Sequence, residues 1–224
     1  MISDRLVELS EAYLEAMLSG DRREARRLVG VALDEGASAE QVLLDVFRPA
    51  LIGVGDRWAD GRASVAQEHY TSSETMHLMS LLRDMDTPRE RPDRCVVTCA
   101  AESEEHGIGI RMVSDLFELA GWRTYHLGSN LPAYALATSI DTIRPDVVAL
   151  SVTLPEALPR ARDLIAHARQ ATVATTLFMV GGQAFDLAPE WIPRIGADVH
   201  AADARRAVTL ADEAVGGITS GGGG

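Results

Sequence analysis

Two histidines in this sequence stand beside a glutamate, each against a different structural background. Trp58-x9-Glu68-His69 falls in a stretch with helical periodicity, and Glu104-x-His106-x-x-Gly109 lies between an apolar run that reads as a strand and the helical stretch after it. A histidine that is neutral near pH 7 can give one ring nitrogen to a metal, and ligating histidines commonly donate the other N–H to a carboxylate that fixes the ring. Glu104 is placed to be that carboxylate for His106. Gly107 and Gly109 let a bulky group approach the start of the helix, while Ser151 and the pair Gly181-Gly182 remove side-chain bulk at the ends of two further apolar runs. The chemistry this suggests is coordination of a metal carried inside a large, inserted group.

Val65, Glu68 and His69 are three and four residues apart and share one face of a helix, with Trp58 just before the preceding turn. An indole, an aliphatic group, a carboxylate and an imidazole then line one surface, although core packing would account for Trp58 and Val65 taken alone. His77 and His126 read as packing or surface histidines, since His69 and His77 lack the four-residue spacing of a helical zinc pair. Met112 stands where a dinucleotide fingerprint needs its third glycine. Met76, Met79 and Met85 read as core fillers.

The elements that must position these residues fall into two parts. Residues 1–86 read as a four-helix bundle. Leu6, Leu9, Tyr13 and Met17 mark the first helix, and Asp21 caps a second that carries Ala25, Leu28, Val29 and Ala32. Capping boxes Ser38-x-x-Gln41 and Ser64-x-x-Gln67 open the third and fourth, with a kink expected at Pro49. Residues 87–93 are polar, hold two prolines and read as a linker. From residue 94 to 216, short apolar runs alternate with helical stretches: Cys95–Ala100, Trp122–Leu127, Asp146–Ser151, Leu177–Val180 and a fifth around Val199. That alternation predicts a doubly wound parallel sheet. Its ligand belongs beyond the carboxyl ends of the strands, where Glu104–Gly109, Gly128–Pro132, Ser151–Thr153 and Gly181-Gly182 would converge. Residues 217–224 read as a flexible glycine-rich tail.

Composition excludes several classes. With 224 residues, a net charge of −12 and no apolar run near the ~18 residues of a membrane span, the chain reads as a globular, cytoplasmic protein without membrane or direct nucleic-acid binding. Arg22, Arg23, Arg26 and Arg27 cluster on one predicted helix but are diluted by Asp21 and Glu24, so a solvated face is expected. Cys95 and Cys99 lie about 13 Å apart along one strand and cannot pair with each other.

The order and spacing of Glu104-x-His106-x-x-Gly109, Ser151-Val152-Thr153 and Gly181-Gly182 resemble the cobalamin-binding fold shared by methionine synthase, corrinoid proteins and adenosylcobalamin mutases. The resemblance implies that His106 displaces the cofactor's benzimidazole from cobalt, and that the displaced nucleotide tail enters a pocket lined by Ser151 and the glycine pair. Two positions depart from it. The aspartate before the histidine is Glu104 here, and the leucine two residues after the serine is Thr153. Glutamate at this place, together with Trp58-x9-Glu68-His69, resembles the light-sensing cobalamin regulators of the CarH and LitR type, and with that match the resemblance covers nearly the whole chain. It implies an adenosylcobalamin-binding light sensor in which the bundle caps the upper cobalt face through Trp58, Val65, Glu68 and His69. In the repressor relatives a histidine directly follows the tryptophan and can take the vacated upper position after photolysis; Ala59 stands there in this sequence. Those relatives carry an N-terminal helix-turn-helix domain, whereas this sequence starts with the bundle, so the expected output is a partner protein or a changed homo-oligomer. The alternatives are a corrinoid methyl carrier of a cobalamin-dependent methyltransferase, a mutase small subunit, and an unliganded doubly wound domain.

Overall fold

In the computed structural model, which describes residues 2–85, 91–171 and 175–220, the stripe Leu6, Leu9, Tyr13 and Met17 is buried along α1 (Ile2–Leu18). Asp21 accepts from the Glu24 N–H at 3.0 Å and starts α2 (Arg22–Asp34), which buries Ala25, Leu28, Val29 and Ala32. The third helix of the sequence reading is one run with three textures: α3 (Ala39–Gln41) opened by the Ser38–Gln41 capping box, a π-helical stretch Val42–Phe47, and α4 (Arg48–Ala59). Pro49 explains that order. It lacks the N–H that a regular helix would use, and the wider turns directly before it accommodate the gap. Ser64 and Gln67 form the second capping box, and α5 (Val65–Met85) follows.

The bundle core is apolar with a few satisfied polar groups, among them Ser10, whose hydroxyl donates to the Val46 carbonyl at 2.8 Å. Tyr13 lies against Phe47 with ring centroids 5.1 Å apart, and its hydroxyl meets Thr75 Oγ1 at 2.9 Å. Met79 is buried, but Met76 is exposed, which corrects its reading as core; the Met85 side chain lies outside the described residues. The arginine cluster on α2 is engaged within the bundle: Arg22 pairs with Glu74, Arg27 with Glu24, and Arg26 donates to the exposed His77 ring.

The chain divides into two compact units, Met1–Thr87 and Pro88–Gly224. In the second, β1 (Arg91–Ala101), β2 (Trp122–Leu131), β3 (Val147–Ser151), β4 (Leu177–Gly181) and β5 (Val199–His200) form one parallel sheet in the order β2-β1-β3-β4-β5. Arg91 to Asp93, expected in the linker, belong to β1; the rest of that segment lies outside the described residues. The strands are apolar on both faces because both are covered. Val97, Cys99, Val148, Leu150, Phe178 and Val180 face one core with α7 (Ala133–Ile143) and α8 (Leu158–Ala171). Val96, Val147, Ala149 and Met179 face the other with α6 (Ile108–Leu119) and α10 (Ala204–Ser220). Helix α10 continues four residues into the expected tail, whose last four residues lie outside the described ones. Cys95 and Cys99 are free and buried, and burial pushes the Cys99 thiol up to about 12. No helix among the described residues is long and apolar enough to cross a membrane.

Candidate functional site

The strand order reverses between β1 and β3, so the loops that leave these two strands flank a crevice at the sheet's carboxyl edge. One side chain ties them together. Glu104 is buried, its side chain 1% exposed. Its Oε1 accepts from the His106 backbone N–H at 3.1 Å and from His106 Nδ1 at 2.6 Å. Its Oε2 accepts from the backbone N–H groups of Thr153 at 2.9 Å and Leu154 at 3.4 Å. Four donors on one carboxylate offset the cost of its burial and fix the histidine loop against the loop after β3.

The consequence for His106 is chemical. A carboxylate has only lone pairs to offer, so Nδ1 carries a proton, and in the neutral imidazole this leaves the free pair on Nε2 of a side chain that is 51% exposed. Among the described residues no three His, Cys, Asp or Glu side chains gather as a cage for a bare metal ion. A metal held here has to bring most of its own ligands and take one nitrogen from the protein.

The glycines serve two purposes. A Cβ on Gly109 would meet only Ser151 Oγ, at 3.8 Å, and one on Gly107 would meet Ser129 at 3.4 Å, so the helix start stays approachable. The pair at the end of β4 is crowded by the chain itself. A Cβ on Gly181 would fall 2.8 Å from the Ala201 carbonyl oxygen, and Gly182, at φ +109°, would overlap the Val152 carbonyl. Their smallness therefore admits neighbouring backbone, a reason the sequence reading did not contain. Thr153 contributes its backbone N–H to Glu104, a role its side-chain type does not reveal.

Gly128 to Leu131, expected as a loop, extend β2 instead, with irregular register against β1. Ser103 and Arg160 are neighbours of the site that motif reading passed over, and Asn130, in a segment expected there, had no role assigned to it. Ser103 N–H donates to Asn130 Oδ1 at 2.9 Å, Asn130 N–H to the Glu104 carbonyl at 3.0 Å, and Arg160 Nη1 to Ser103 Oγ. His126 lies beneath, with Nδ1 3.0 Å from Thr98 Oγ1; burial first, and then the Arg111 charge, lower its pKa.

In the bundle, Trp58 and Val65 are exposed, at 52% and 51%, so neither is core. Glu68 Oε2 accepts from His69 Nδ1 at 2.6 Å and its Oε1 from Ser72 Oγ at 2.7 Å.

Comparison with known proteins places both halves. The B12 binding domain family matches residues 94–210, and a second family of the same description matches residues 9–83. The HTH-type transcriptional repressor CarH of Myxococcus xanthus is 32% identical over 179 residues, which are 78% of this chain and 59% of the repressor's length. Dimethylamine corrinoid protein 3 of Methanosarcina mazei is 29% identical over 119 residues, 53% of this chain and 70% of that protein. The fold matches the structure of the Methanosarcina barkeri monomethylamine corrinoid protein with a TM-score of 0.79 at 20% identity, covering 92% of this chain and 98% of that one.

Proposed function

The chain belongs to the B12 binding domain family, and from that premise we propose that it is an adenosylcobalamin-binding light sensor that signals to a partner protein or through its own oligomeric state. The residues present fit the cofactor. A corrin ring brings its own four nitrogens to cobalt and needs one axial donor from the protein, and a histidine with Nδ1 tied to a buried carboxylate and Nε2 left open is that donor. His106 would hold cobalt, Glu104 would keep the ring's tautomer and angle, and Gly107, Gly109 and Ser151 would border the inserted group.

When bound, adenosylcobalamin supplies a cobalt–carbon bond that visible light breaks. The observation that carries the sensor reading is the exposure of Trp58 near the end of α4 and of Val65, one turn before the Glu68–His69 pair on α5, apolar and acceptor groups suited to a purine and a ribose. In the dark Trp58 would pack on the purine and Glu68 would accept from ribose hydroxyls, exchanging a partner on its own helix to do so. In light these side chains lose that contact. A conformational equilibrium shifts only through contacts that differ between its two states, and the bundle residues would supply that difference. The similarity to the repressor CarH supports this reading.

A second reading, a corrinoid methyl carrier for a methyltransferase, draws support from the similarity to the dimethylamine corrinoid protein. One experiment separates the two. The protein is reconstituted in the dark with adenosylcobalamin or methylcobalamin, and spectra and elution volume are recorded before and after green light. A sensor prefers adenosylcobalamin, loses that preference in Trp58→Ala shown to be folded, and changes elution volume on illumination. A preference for methylcobalamin with a light-independent elution volume supports the carrier.

A further inference from the structure

We propose that Asn130 is a positioning residue that sets the His106 ring through Glu104; the inference rests on the reading of His106 as the cobalt ligand. Ser103 at φ 67° and Asn130 at φ 55° are both left-handed, a conformation that side-chain-bearing residues seldom adopt. The two face each other across the end of the sheet. Asn130 Oδ1 takes the Ser103 N–H while the Asn130 N–H goes to the Glu104 carbonyl, so one residue holds the peptide groups on either side of the Ser103–Glu104 segment. Arg160 reaches the same segment from α8 through Ser103 Oγ.

The register of the strand shifts beside this residue. Thr98 pairs with His126 and Cys99 with Gly128, then Ala101 pairs with Leu131, so β2 inserts an extra residue against β1 at each of two successive steps. Bulges of this kind re-aim side chains beside functional sites. Here they carry Asn130 past the end of regular pairing and set it against the loop after β1. Asparagine suits both demands at once, since it tolerates the left-handed region and carries an acceptor that glycine lacks. The chain of restraint then runs from Asn130 to the 103–104 backbone, to the buried Glu104 carboxylate, and to His106 Nδ1 at 2.6 Å.

The test uses the full chain reconstituted in the dark with adenosylcobalamin, with affinity measured by titration. The lower ligand is read from the electron paramagnetic resonance of the Co(II) form prepared with 15N-histidine-labelled protein, where an isotope-sensitive coupling reports a protein imidazole. Asn130→Ala should weaken binding roughly tenfold, the low end for groups that support a metal ligand, and diminish the isotope-sensitive coupling. Asn130→Gly relieves the backbone and keeps the protein folded, yet it should show the same loss because the acceptor is gone. Asn130→Asp restores the acceptor and should recover both readouts. Wild-type affinity and coupling in both Asn130→Ala and Asn130→Gly, with His106→Ala altered, overturn the inference alone. A His106→Ala protein indistinguishable from wild type overturns the ligand reading and the inference with it.

Discussion

Glu104–His106 and Glu68–His69 share a contact and almost nothing else. Each histidine presents Nδ1 to its carboxylate at 2.6 Å. Glu104 is 1% exposed and satisfied by four N–H groups from two loops on either side of the sheet's reversal point, so moving it would leave buried donors without partners. Glu68 is 26% exposed, its partners are a neighbour and a serine one turn along the same helix, and His69 is 76% exposed. A hydrogen bond between exposed groups is readily exchanged for one to water or to a ligand. The same pair of residue types thus gives a fixed imidazole where the fold surrounds the carboxylate, and an adaptable pair where it does not.

Removing each carboxylate tests the contrast most severely. Glu104→Ala should destabilise the sheet unit by about 3 kcal/mol, because the Thr153 and Leu154 N–H groups lose their shared acceptor in a water-poor site. Glu68→Ala should stay within about 0.5 kcal/mol, as surface substitutions do. Denaturant unfolding monitored separately for the two units measures both values, and equal costs would mean that burial does not distinguish the pairs.

The histidines come next. His106→Ala should weaken cobalamin binding by at least about tenfold, since supporting groups alone are worth that much, and it should abolish the isotope-sensitive coupling. His69→Ala should leave the lower-ligand signal intact. With Ala59 following Trp58, the illuminated protein should also carry one protein imidazole and not two. A two-imidazole spectrum that disappears in His69→Ala would show instead that the adaptable pair moves onto the metal.

Much of this contrast could be read in the sequence, and the remainder has physical reasons for its silence. Period-3.6 and strand-length apolar runs marked the helices and all five strands because both depend on side chains recurring along one chain segment. The Glu104–His106 contact was legible because its partners lie two residues apart. The bond from Glu104 to the Thr153 N–H was not, since it spans the sheet's reversal point and uses a backbone group that every non-proline residue possesses. The role of Asn130 escaped for the same reason, although its segment was expected at the site: its contacts depend on two bulges, and bulges follow from strand register, which a periodicity cannot show. Glycine smallness was visible at Gly181 and Gly182, but the neighbouring backbone that also requires it became visible only with Val152 and Ala201 in place.

A third histidine gives the smallest expected effect. His126 has a hydroxyl partner, Thr98, instead of a carboxylate, and it lies in the same unit as His106. Burial disfavours its charged form, and Arg111 adds repulsion, so its pKa in the folded protein lies below the ordinary value of about 6.5. As pH falls through that value the unfolded chain takes up the proton first, and stability follows the state that binds fewer protons upward in pH. The contribution is therefore fully present above about pH 6.5 and declines below it, toward the lowered folded pKa. Unfolding midpoints of the sheet unit should fall more steeply between neutral and mildly acidic pH in the wild type than in His126→Gln, which cannot take up that proton. Parallel curves for the two proteins would show that Thr98 and the surrounding apolar strand residues leave this ring as free to charge as one in water.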